Sequence, residues 1–185
     1  MIYIIDHQDS FTWNLVHQFS KFEEVYCSNY FEINQKKLDQ SNTIILSPGP
    51  GSPKDYSFTS KIYKKYKGKK KLIGICLGYQ QILFNEIGKI IQQKKIYHGY
   101  QSIVRVTKES KLFKKNKTFK VGRYHSLKLF EPFKSNNIKI SMRCAKTGIP
   151  MGIEDLKNNI YGFQFHPESF LTENGNTIIK KILSA

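Results

Sequence analysis

The chain alternates short, wholly apolar runs with stretches whose apolar residues recur every three or four positions. Met1–Ile5 is apolar throughout, as a strand buried on both faces would be. Phe11, Leu15 and Phe19 then recur at spacing four, with Val16 and Phe22 on the same side. That spacing predicts a helix, which Asp9 or Ser10 can cap. Val25–Tyr30 reads as a weaker strand and Thr43–Leu46 as a fully buried one. The run Ser47-Pro48-Gly49-Pro50-Gly51-Ser52-Pro53 stops that strand abruptly. A helix over Tyr56–Tyr66, a buried strand over Leu72–Ile75 and a helix over Tyr79–Ile87 ending at Gly88 follow. Strands alternating with helices predict an α/β fold with a doubly wound, mostly parallel sheet and flanking helices. Beyond Gly88 the pattern changes. Lys89–Gln93, Ser102–Thr107, Thr118–Tyr124, Ile138–Cys144, Pro150–Glu154 and Tyr161–Gln164 read as short strands separated by turns, and so as antiparallel extensions. Thr177–Leu183 closes as a helix, and with no repeat or linker the chain reads as a single domain over 1–185.

Composition narrows the class. A chain of 185 residues with 39% hydrophobic content can bury a core, which excludes a disordered chain and a disulfide-stapled miniprotein. No apolar run approaches the ~18 residues of a membrane span. The start, MIYIIDHQDS, lacks the basic and long apolar regions of a secretion signal. Cys27, Cys76 and Cys144 are odd in number and lack metal-ligand spacing, so no metal and a reducing, cytoplasmic setting are expected. The net charge of +16 is almost all lysine, with arginine confined to Arg105, Arg123 and Arg143. Nucleic-acid surfaces lean on arginine forks, so solvated lysine and no nucleic-acid partner are expected. The densest run, Lys64-Lys65-Tyr66-Lys67-Gly68-Lys69-Lys70-Lys71, suits a helix C-terminus turning into a strand.

The sharpest chemical signal is Gly74-Ile75-Cys76-Leu77-Gly78, a G-x-C-x-G at a strand-to-helix junction. It is the thiol counterpart of the nucleophile elbow: the side chain projects from the sheet edge and the next helix's N-terminus favours a thiolate. A thiolate needs a proton-transfer partner. His166 in Gln164-Phe165-His166-Pro167-Glu168 is the best placed, and in extended chain Glu168 would face the same side and orient it. Of the competing histidines, His17 sits in a helix pattern and His98 has no acidic neighbour, so both read as structural. His125, in Arg123-Tyr124-His125-Ser126-Leu127, fits a structural and a chemical role equally. Pro48-Gly49-Pro50-Gly51 reads either as a plain turn or as a loop offering backbone N–H groups to an oxyanion.

Taken in order, Ile5–Thr12, Ser47–Pro53, Gly74–Gln80, His98-Gly99, Arg123–Leu127 and Gln164–Ser169 resemble the motifs of the class I, triad-type glutamine amidotransferases. The resemblance is strongest to the glutaminase components of anthranilate synthase and aminodeoxychorismate synthase. It implies that Cys76 attacks L-glutamine, that His166 is general base and then acid, and that Glu168 completes the triad. It implies an oxyanion hole from the N–H groups of Gly51 and Leu77. The glutamine pocket would be lined by Gly49, Pro50 and Gly51, with Gln80, Ser126 and Leu127. It further implies that the partner receiving the ammonia is a chorismate-binding synthase subunit, with the start motif near that interface, and no cofactor. The chain departs from the family pattern at Tyr79 (usually His), at His7-Gln8 (usually Asn-Tyr), at Tyr100 (commonly Lys) and after Pro53, where Ala-Gly is missing. A stand-alone cysteine hydrolase on the same scaffold and a non-catalytic basic binding module are the competing readings.

Overall fold

A computed structural model describes residues 1–185. Its first half runs β1 (Ile2–Asp6), α1 (Thr12–Ser20), β2 (Val25–Asn29), α2 (Gln35–Gln40), β3 (Thr43–Leu46), α3 (Ser57–Tyr66), β4 (Lys71–Ile75) and α4 (Leu77–Asn85). The second half runs β5 (Ile90–Gln92), β6 (Tyr100–Val106), β7 (Thr118–Arg123), β8 (Leu127–Leu129), β9 (Lys139–Cys144), β10 (Pro150–Asp155), β11 (Ile160–Phe163) and α5 (Gly175–Leu183). Nine strands form one sheet in the order β2-β1-β3-β4-β11-β10-β9-β6-β7. The pairs from β2 through β11 are parallel and those from β11 through β7 antiparallel, as the change of pattern after Gly88 predicts except at β11, which runs antiparallel to β10 but parallel to β4.

The inner strands are apolar on both faces because both faces are covered. Along β1, Ile2 and Ile4 enter one core and Tyr3 and Ile5 the other. Leu15 and Phe19 of α1 and Ile178, Ile179 and Ile182 of α5 cover the first face. Leu38, Ile62, Tyr63, Ile82 and Leu83 of α2, α3 and α4 cover the second. The edge strand β2 is only half-buried along its length, which is why its pattern is weak. Strand β11 crosses back to lie beside β4, pairing Gly162 with Gly74 and Phe163 with Ile75. Cys76 and Gln164 therefore leave the sheet side by side.

Four local expectations need correction. Helix α2 escapes the periodicity because Leu38 is its one buried residue; it is held by Asn34, whose side chain accepts from the Lys37 N–H at 3.1 Å. Strand β8 also escapes it, and pairs with β5 in a separate two-stranded sheet. At α1 neither Asp9 nor Ser10 holds the cap position, which is Phe11; Asp9 Oδ1 accepts the Phe11 N–H at 2.8 Å, and Phe22 lies beyond the helix, partly exposed. Lysine is not uniformly solvated: Lys71 is buried and its Nζ donates to the carbonyls of Ile182 and Leu183 at 2.7 and 2.8 Å, closing the C-terminus of α5. No helix is long and apolar enough to cross a membrane.

Candidate active site

Helix α4 begins at Leu77, two residues before the periodicity predicts, so Cys76 is itself the cap residue. Its backbone sits at φ 52°, ψ −100°, where L-residues are strained. Packing enforces it. A Cβ on Gly74 would fall 2.5 Å from the Gly78 carbonyl carbon, and one on Gly78 would fall 2.0 Å from the Leu46 oxygen. The helix start is thus pressed onto β3 and β4 as only two glycines permit. Cys76 N–H donates to Phe163 O at 2.8 Å and Gly78 N–H to Ser47 O at 3.2 Å. The Leu77 amide opens the helix, where no preceding helical carbonyl can take it. Cys76 is nearly buried and stands at the positive end of α4.

His166 arrives from the antiparallel half. Its N–H donates to Gly122 O at the end of β7 at 3.1 Å, and its carbonyl accepts from the Thr172 hydroxyl at 2.5 Å. Ser169 N–H also donates to that carbonyl at 3.2 Å, so residues 166–169 form a turn. This corrects the expectation of extended chain: Pro167 and Glu168 fold back, and the turn brings Glu168 Oε1 to 2.7 Å from His166 Nδ1. Both side chains are essentially sealed from solvent. Burial penalises the charged imidazole, but the Glu168 carboxylate and the neighbouring Cys76 sulfur outweigh it and hold the His166 pKa well above its usual value. The rings of Phe11 and Tyr124 meet the imidazole at 5.3 and 4.9 Å between centroids.

A buried pair of carboxamides connects the sulfur to the far wall. Gln164 Nε2 lies 3.8 Å from Cys76 Sγ, and Gln164 Oε1 accepts from Gln80 Nε2 at 3.1 Å. Gln80 Nε2 also reaches Leu127 O at 3.5 Å. Gln80 and Leu127 are thus joined to the elbow through Gln164, a contact that sequence reasoning did not assign. Its only signal was its place two residues before His166.

The glycine loop is held from beneath by His7. His7 N–H donates to Ser47 Oγ at 2.8 Å; the ring joins Ser47 O through Nδ1 at 3.1 Å and Thr59 Oγ1 through Nε2 at 3.1 Å. Burial drives the His7 pKa down to about 4, so the ring is neutral. Gly49 packs so closely on His7 and Leu77 that a Cβ would lie 2.5 Å and 2.7 Å from their side chains. Tyr56 O–H donates to Pro50 O at 2.9 Å. Gly51 stands at the exposed end of the loop with φ 71°, above Asp55. Of the other departures, Tyr79 is fully buried in the core with its hydroxyl 3.3 Å from Pro150 O, away from the sulfur. His17 and His98 are exposed, while His125 is buried and half-buried Ser126 accepts the Gln93 N–H at 2.9 Å.

A strained thiol, a buried imidazole–carboxylate pair and a loop of rigid backbone amides suit covalent attack on a carbonyl. Comparison with known proteins agrees. The family described as Glutamine amidotransferase class-I matches residues 3–185. Anthranilate synthase component 2 of Lactococcus lactis is 36% identical, covering 100% of this chain and 94% of that protein. Aminodeoxychorismate synthase component 2 of Escherichia coli is 31% identical, covering 99% of both. The crystal structure of a putative GMP synthase protein from Thermoplasma acidophilum superposes with a TM-score of 0.84, at 20% identity over 99% of this chain and 92% of that one. It shares the fold. The chain belongs to the class I glutamine amidotransferase family.

Proposed function

We propose that this chain is the glutaminase component of a chorismate-aminating synthase, working in the cytoplasm with a chorismate-binding subunit. The Cys76 sulfur attacks the side-chain carbonyl carbon of L-glutamine while His166 takes the thiol proton. His166 returns that proton to the departing nitrogen, and ammonia leaves a γ-glutamyl thioester. Water, deprotonated by His166, attacks the thioester; the C–S bond breaks, the proton returns to sulfur, and glutamate departs. Glu168 fixes the ring and favours its charged form. The Leu77 and Gly51 amides stabilise the oxyanion of each tetrahedral intermediate. Gly49, Pro50 and Gly51, with Gln80, Ser126 and Leu127, enclose the glutamine.

The observation that carries this reading is the convergence of the strained Cys76 with the buried His166–Glu168 pair at one sheet edge. The full-length match to two proteins named as component 2 of chorismate-aminating synthases supports the partner class. The test reconstitutes the chain with that synthase subunit. Cys76→Ser is expected to abolish product formation from glutamine and leave formation from free ammonia intact. Glutamine-dependent turnover persisting in Cys76→Ser would refute the mechanism.

A further inference from the structure

Arg123 carries a buried charge without a carboxylate. The residue is fully buried, stacks on the Tyr97 ring at 3.5 Å and brings Nη1 to 3.7 Å from Cys144 Sγ and 3.5 Å from Ser102 Oγ, while Nη2 has no partner. An uncompensated charge in such a place is costly, and for packing alone a neutral side chain would serve. Its Nε–H is spent on His125 Nε2 at 3.0 Å. Arginine stays protonated, so Nε is always a donor and His125 Nε2 must accept. The other ring nitrogen, Nδ1, lies 2.8 Å from Leu127 O, which can only accept. One form of the ring satisfies Arg123 and Leu127 together: neutral, with its proton on Nδ1; Gln93 Nε2, 3.3 Å from Nδ1, then gives its hydrogen to the shorter contact with His125 O. Burial and the adjacent Arg123 charge lower the His125 pKa to about 3, in accord.

Three further bonds hold the same turn. Gln93 Nε2 donates to His125 O at 2.7 Å, Tyr97 N–H to the same carbonyl at 3.2 Å, and Gln93 N–H to Ser126 O at 2.9 Å. None of them reaches Leu127. Leu127 itself pairs with Gln92 in the β5–β8 ladder, and its carbonyl, the end of the carboxamide path from Cys76, is met from this side by the imidazole.

We infer that His125, locked into one tautomer by Arg123, is a positioning residue for glutamine: it aims the Ser126–Leu127 wall of the pocket at Cys76 without touching the reacting atoms. This inference rests on the glutaminase reading. It gives a role to the histidine that the sequence leaves open: His166 keeps the proton transfer and His125 sets the shape of the pocket.

The test uses the full chain and iodoacetamide alkylation of Cys76, followed by mass spectrometry of its peptide, with and without L-glutamine. His125→Leu is expected to raise the glutamine concentration for half-protection roughly ten-fold, the scale of one buried hydrogen bond. The alkylation rate without glutamine should stay within about two-fold, since the triad is untouched. His125→Asn, whose amide N–H can still reach Leu127 O, should restore most of the loss. Should His125→Leu not fold, Arg123→Met carries the test, with the same expected rise. Half-protection unchanged in these variants, His125→Asn as impaired as His125→Leu, or an alkylation rate falling in step with protection would overturn the inference. Failure of glutamine to protect the unaltered chain would overturn the glutaminase reading and this one with it; protection of the unaltered chain with no change in the variants overturns this one alone.

Discussion

Helix α4 has an L-residue at positive φ just outside each end: Cys76 at 52° before its first turn and Ile87 at 65° after its last. Both backbones take a φ that L-residues rarely adopt, and the causes of the strain are unrelated. At Cys76 it is imposed by long-range packing, with Gly74 and Gly78 drawn against each other and against Leu46, and the reward is a sulfur aimed out of the sheet. At Ile87 it is a helix stop. Gly88 N–H donates to Leu83 O at 2.7 Å, a bond that requires the preceding residue to turn left-handed. Glycine usually takes that position, and here it falls one residue late. Ile87 is 96% exposed, so its side chain gains no packing in return. Strain marks a functional site when the surrounding structure over-determines it and the side chain has chemistry to deliver. Strain alone marks nothing.

The comparison can be broken most severely at Gly78. Gly78→Ala places a Cβ against backbone on the Leu46 side, and about 3 kcal/mol or more of stability should vanish along with glutaminase activity. An unchanged denaturant midpoint would show that the helix start is not pressed onto the sheet.

Smaller per pH unit is the pH dependence, which belongs to the Cys76 edge. His7 and His125 are held neutral with pKa values near 4 and 3, below the unfolded value of about 6.5. Between pH 6.5 and these values the unfolded chain binds more protons, so stability falls on acidification, by up to about 1.4 kcal/mol per pH unit for each ring. His7→Gln should flatten this limb by one ring's share in urea titrations between pH 6.5 and 4. His166 has the opposite sign. Its raised pKa gives stability that is complete below pH 6.5 and lost as pH climbs through the folded value, and Glu168→Gln should remove most of that alkaline slope.

The smallest effects compare the two strained residues directly. Ile87→Gly should stabilise by roughly 0.5–1 kcal/mol with glutaminase unchanged. Cys76→Gly should be more stable than Cys76→Ala by about 1 kcal/mol, with both inactive. Equal midpoints in the second pair would deny that the elbow is strained.

Much of this was legible along the chain. The buried strands, the change from parallel to antiparallel after Gly88, the elbow at Cys76 and the pairing of His166 with Glu168 follow from apolar runs, glycine spacing and proximity in sequence. What was not legible has identifiable causes. Helix α2 buries only Leu38, too little to leave a period. Lys71 looks like one more solvated lysine until the C-terminus of α5 arrives above it. The turn at Pro167-Glu168 replaces extended chain because the His166 carbonyl is claimed by Ser169 and Thr172. His7, read only as a departure from the family pattern, lies beneath the glycine loop.

The sequence by itself determined where backbone must bend and which residues could bear a nucleophile, because steric limits act between neighbours in the chain. Only the tertiary structure decided which imidazole favours its charged form. His166 gains a carboxylate and a sulfur beside it, His125 a guanidinium, His7 a hydroxyl and a carbonyl. Desolvation and charge depend on what remote strands bring within a few ångströms, and strand register, which no single segment encodes, sets those neighbours.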